Sequence, residues 1–174
     1  MLLIRLLFDI AIWRRTPRDL PSSGPLLVAV MLAYIAQSTG QAAIASQGNL
    51  QGLDGVVDLV LTCAIYTAVV VVGGRTHRLA QTLLALLGTE VLLSPLTLAL
   101  AAGVSATTPA DPLGLVARVG LIGVLIWNVL IVAHVMRSVF ESTLATGVLV
   151  AVACALLAYG FSDLWFGSTP ATGG

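Results

Sequence analysis

The chain has 174 residues, 58% hydrophobic and 9% charged, with a formal net charge of zero and a mean hydropathy of +1.02. A soluble domain carries about 25% charged residues, so the polar surface for a water-facing globule is missing, and zero net charge gives no general attraction to nucleic acid. The apolar residues run in long stretches, which makes a lipid bilayer the expected solvent and partner. The length suits one domain. The expected fold class is all-α: a polytopic membrane protein of five transmembrane helices preceded by a short N-terminal interfacial helix.

Leu2 to Trp13 is apolar except for Arg5 and Asp9. At ~1.5 Å per residue it is too short to cross ~30 Å of hydrocarbon. The arginines follow the apolar run instead of preceding it, which argues against a cleaved secretory signal. Arg5 and Asp9 stand four apart on one helical face and are expected to pair. Residues 1–18 therefore read as an amphipathic helix lying in the interface, with Arg5, Trp13, Arg14, Arg15 and Arg18 contacting the membrane surface.

Residues 19–174 hold five expected spans, at about 25–45, 55–72, 79–104, 113–136 and 143–166. Gln37, Ser38, Thr39 and Gln41 make the first the least apolar. Helices are expected because a spanning backbone must satisfy its own hydrogen bonds, and the alternation of a membrane barrel is absent.

Every basic residue other than histidine is an arginine. Arg5, Arg14, Arg15 and Arg18 precede the first span. Arg75 and Arg78 link the second to the third, and Arg137 the fourth to the fifth. The links Ser46 to Asp54 and Ser105 to Pro112 have none. The positive-inside rule then places the N-terminus in the cytoplasm and the C-terminus outside, as in an integral protein of a bacterial inner membrane. Gly147, Ala151 and Ala155 form a ridge of small residues that permits close helix approach, within the chain or at a homodimer or membrane-partner seam.

Polar residues inside the spans are the candidate site. Glu90 falls near the middle of the third span, where an unpaired carboxylate costs roughly 2.5 kcal/mol or more. Ser94 and Thr97 follow on its face, with Thr82 two turns before. Pro95 frees the carbonyl of Val91. Asn128 or Tyr66 is the expected partner of Glu90. Towards the outer face, Arg118 is expected to pair with Asp58 or Asp163. His77 and His134 map to the cytoplasmic side, where His134 is expected to hydrogen-bond or face headgroups. Cys63 and Cys154 read as small buried hydrophobes. Metal-ligand spacing, nucleophile elbows and phosphate-binding glycine loops are absent, so no metal, no cofactor and no catalytic residue is expected.

Asp19-Leu20 followed by Gly24-Pro25-Leu26-Leu27 resembles the approach to the first span in the Yip1-like family of five-span integral membrane proteins. Ile126-Trp127-Asn128, Ala133, Met136-Arg137, Phe140 and Ser142-Thr143 resemble the junction between its fourth and fifth spans. Pro21-Ser22-Ser23 makes a longer spacer than the eukaryotic pattern. The resemblance implies the five-span layout and a non-enzymatic scaffolding, membrane-organising or partner-binding role. The residues alone also suggest the alternative of a proton-linked transporter or channel subunit using Glu90.

Overall fold

The computed structural model describes residues 2–45, 54–108 and 111–166. Among these all the regular structure is helical, with no strand. The helices are α1 (Leu2–Ala11), α2 (Gly24–Ala45), α3 (Asp54–Val72), α4 (Leu79–Ser105), α5 (Pro112–Phe140) and α6 (Leu144–Phe166), with single 3-10 turns at Pro17–Asp19 and Thr76–Arg78. Four helices, α2 to α5, are long and apolar enough to cross a membrane, and α6 is apolar over Leu144–Ala158. The expected link from Ser46 and the tail after Phe166 lie outside the described residues.

Short links make successive long helices antiparallel, and their contacts close a ring in the order α2, α4, α5, α6, α3 and back to α2. Lipid is as apolar as leucine, so the ring is held by close packing and polar contacts instead of a drive to escape solvent. Gly147 of α6 meets the backbone of Ala133 on α5, where a Cβ would overlap the Ala133 carbonyl. Ala151 is buried beyond it. Two residues of the small-residue ridge, Gly147 and Ala151, are thus packed within the chain, while Ala155 is exposed. Outward, α5 shows Leu113, Val116, Val119, Ile122 and Ile126 at 56–72% exposure, an apolar belt suited to lipid.

The half of the ring near the arginines is solid. Val70, Leu84, Leu87, Ile131, Val135 and Met136 are essentially inaccessible there. Helix α1 adds to this core. Its Leu7, Ile10 and Ala11 are buried and Leu7 fits against Gly88 of α4, while Ile4 and Phe8 remain exposed. Gly88 is nine residues into α4, roughly 14 Å along it. The missing side chain opens a groove, and the stripe at helical spacing fills it. The Trp127 indole N–H also donates to the Ala11 carbonyl at 3.0 Å, tying α1 to α5.

Helix α5 runs to Phe140, four residues beyond its expected end, and both termini show why. Asp111 accepts the Leu113 N–H at 3.0 Å ahead of Pro112, a favourable N-cap with proline at the first position. At the other end Glu141 takes the left-handed conformation, φ 55°. Arg78 donates to the Ser138 and Val139 carbonyls at 3.4 and 3.2 Å, and Arg18 to Ser138 at 3.1 Å. These donors satisfy carbonyls that a helix end leaves open.

Candidate functional site

All five ring helices line one cavity of about 570 Å³. Helix α2 contributes Tyr34, Gln37 and Gln41, α3 Asp58, Thr62 and Tyr66, α4 Glu90 and Thr97, and α5 Asn128. Apolar side chains, including Leu93, Val124 and Cys154, complete the wall. Two carboxylates face this space. Among the described residues no arginine or histidine lines it.

Helical spacing explains the convergence. Tyr34, Ser38 and Gln41 share one face of α2, as Asp58 and Thr62 do on α3. Glu90 and Thr97 lie two turns apart on α4. Glu90 is eleven residues from the start of α4, roughly 17 Å along it, and Asn128 comes to a similar height on the antiparallel α5. Asp58 is fourteen residues from the Val72 end of α3, roughly 21 Å. The acids therefore sit beyond the solid arginine-side core, Glu90 near the middle of the bundle and Asp58 further toward the opposite end.

The polar bonds form two connected groups. Tyr34, buried at 4% exposure, donates its hydroxyl to Asp58 Oδ2 at 3.0 Å and also faces Glu90. That hydroxyl has one proton, so the contact at 3.3 Å to Thr62 Oγ1 is donated by Thr62. Ser38 donates to the same Oδ2 of Asp58. Both donors use one oxygen, so Oδ1 keeps its acceptor capacity. Asn128 Nδ2 donates to Glu90 Oε1 at 3.4 Å. Gln41 Nε2 donates to Thr97 Oγ1 at 3.2 Å. Gln37 Oε1 is buried without a hydrogen-bond partner. The cavity thus holds an excess of acceptors.

Of the sequence candidates, the structure brings together Glu90, Thr97 and Asn128, and joins Asp58 to them in one cavity. Ser94 does not line the cavity. Its hydroxyl donates to the Val91 carbonyl at 2.9 Å, answering the acceptor that Pro95 leaves open, and Thr82 likewise donates to Arg78 O at 2.8 Å. These hydroxyls satisfy their own helix. Asp58, one of the two acids expected near Arg118, takes hydrogen bonds from Tyr34 and Ser38 inside the ring. Arg118 is half-buried on α5, and the side chain of Asp163 lies outside the described residues. Sequence reading missed Tyr34, Gln37, Ser38, Gln41 and Thr62 as site residues. Their signal was the i, i+4, i+7 spacing of the polar residues in α2 and the i, i+4 pair in α3.

A second cluster sits at the arginine-rich end. Glu141 accepts from Arg18 at 2.7 Å and Arg78 at 3.1 Å, and pairs with Arg75 at 3.6 Å. The hydrogen bond from Arg78, with the charges of Arg75 and Arg18, holds its carboxyl below the usual range. The expected Arg5–Asp9 pair is not formed. Asp9 meets Arg15 at 3.5 Å, because the chain reverses beyond α1 through Trp13 at φ 63° and folds Arg15 back on the helix. Trp13 stacks on His134 with centroids 5.8 Å apart, and His134 Nε2 meets the Arg15 carbonyl at 3.0 Å. Arg5, Trp13, Arg14, Arg15 and Arg18 are exposed, as surface contacts require. Cys154 is buried and Cys63 half-buried, both unpaired, and no metal-ligating group of three occurs among the described residues.

Comparison with protein-family models, curated proteins and solved structures gives no match.

Proposed function

We propose that this chain is a small, non-enzymatic membrane transporter whose cavity binds a cationic solute in exchange for protons on Asp58 and Glu90. It works as five spans with the arginine-rich end in the cytoplasm. One observation carries this reading: a ring of five helices surrounds two carboxylates, and among the described residues no basic side chain lines the cavity with them. A cavity of this size falls in the usual range for a small organic ligand, roughly 300–1,000 Å³. Acidic side chains inside a bundle are costly unless neutralised. A proton or a bound cation each neutralises them, so the two compete, and competition for one carboxylate is the basis of exchange. The free acceptors on Asp58, Glu90 and Gln37 suit a ligand rich in N–H donors, and the lining includes two aromatic residues, Tyr34 and Tyr66, a residue type that attracts cations. The scaffolding reading rests on the Yip1-like resemblance and gives no role to these acids.

The test is uptake of a fluorescent organic cation into liposomes containing the protein, driven by an imposed pH gradient. Glu90→Gln keeps size and hydrogen bonding but does not titrate. The expected result is gradient-driven uptake by the parent and its loss in Glu90→Gln and Asp58→Asn, with folding retained. Equal uptake by parent and variants, or none by either, would defeat the proposal.

A further inference from the structure

The arginine-rich end holds a second pocket, independent of the cavity. It is about 350 Å³ and is bounded by Arg18, His134, Arg137, Glu141 and Ser142, among others. Its one acid, Glu141, is already engaged by Arg18, Arg75 and Arg78. Arg137, at the pocket edge, makes no ion pair among the described residues and is exposed. Arg18 commits one guanidinium nitrogen, Nη2, to Ser138 and Glu141, which leaves its other donors. Ser142 Oγ is buried with no hydrogen-bond partner. The pocket therefore combines surplus positive charge with an unused hydroxyl donor. The ring of His134, clamped by Trp13, walls one side.

We infer that this pocket binds a phosphate group between Arg18, Arg137 and Ser142. Tetrahedral phosphate offers three outward oxygens to two guanidinium groups and a hydroxyl at once. A planar carboxylate offers two, in one plane, and suits a single guanidinium fork. The pocket also lies at the ends of α5 and α6, helices whose outer faces are apolar. Basic pockets at such helix ends are suited to anionic lipid headgroups, and a soluble phosphate compound would use the same contacts.

Full-length protein in detergent is tested by native mass spectrometry and thermal unfolding. Phosphatidylglycerol, diacylglycerol with the same acyl chains, and inorganic phosphate are the probes. If the phosphate is a lipid's, phosphatidylglycerol stays bound at one equivalent and raises the unfolding temperature, and diacylglycerol does neither. If it is a soluble compound's, millimolar inorganic phosphate gives the rise by itself, above an equal concentration of chloride. In either case the double variant R137Q/S142A weakens binding at least tenfold, and Ser105→Ala, at the opposite end of α4, leaves it unchanged. Failure of both phosphate probes to exceed their controls overturns the inference. So does binding by R137Q/S142A equal to the parent's.

Discussion

Gly147→Ala, a change of one methyl group, tests the packing that closes the ring. The added Cβ overlaps the carbonyl of Ala133 and crowds the carbonyl carbon and Cα of the same residue. These are backbone atoms in the interior of α5, so no rotamer change relieves them. Helix α6 must back away from α5. A gap of about 0.5–1 Å forfeits a quarter to a half of each dispersion contact along the seam, and overpacking of this kind costs about 1–3 kcal/mol. Gly123→Ala is the control. It lies in the same helix pair, within α5, yet a Cβ there meets nothing within 4 Å. Replacing an unneeded helical glycine is stabilising by about 0.5–1 kcal/mol. The two alanine variants should therefore move the unfolding midpoint in opposite directions in a titration from mild detergent into dodecyl sulfate. Were Gly147→Ala to unfold with Gly123→Ala, or above the parent, the α5–α6 register described above would be wrong.

Two other predictions concern the arginine-side half. The folded-state pKa of Glu141 lies below its unfolded value, so the stabilisation it provides is present above about pH 4.3, the ordinary glutamate value, and is lost as pH falls through the lowered one. Glu141→Gln should melt below the parent at pH 7 and converge with it in acid; a difference that stays constant down to pH 2–3 would show that the arginines do not act through its charge. At Gly88, a Cβ would come 2.7 Å from Leu7 Cδ2. Leu7 can shift to admit an alanine, but the branched side chain of Gly88→Val should lift α1 at a cost of about 1–3 kcal/mol. Faster hydrogen exchange over residues 6–11 would register this, and unchanged exchange would place α1 elsewhere.

The helix boundaries were legible because apolar runs and arginine-bearing links mark them directly. Helices α2, α3, α4 and α6 begin and end within a residue or two of expectation. The end of α5 was not, since its last turn is held by Arg18 and Arg78 from elsewhere in the chain, and nothing local in Arg137 to Phe140 announces it. Glu90 and its partner Asn128 were legible because a membrane-embedded acid demands an answer. The rest of the site was hidden by the same hydropathy signal that located the helices. Polar residues in α2 lower its hydropathy and read as a poorer span, although that polarity is the cavity wall. Asp58 was read only as an acid near a helix end, one of two candidates for Arg118. Ring closure brings α2 alongside α3, and two hydroxyls reach Asp58 there.

The arginine asymmetry and the cavity are two aspects of one division of the bundle. On the arginine side the ring is filled by Leu84, Leu87, Val135 and Met136, and the two acids lie beyond that layer, Glu90 at mid-height and Asp58 further on. A solute in the cavity meets that apolar layer before it can reach the arginine-rich end. In lipid, separating apolar helix faces costs only the packing they lose. What resists separation at this end is polar: Glu141, beyond α5, is bonded to Arg18 ahead of α2 and to Arg75 and Arg78 between α3 and α4. Transport through the cavity would then require this clamp to loosen as the layer opens. Glu141→Gln, which removes the carboxylate but leaves the cavity intact, should make passage easier even as it lowers stability. A transport rate that falls in parallel with stability would show that the clamp only supports the fold.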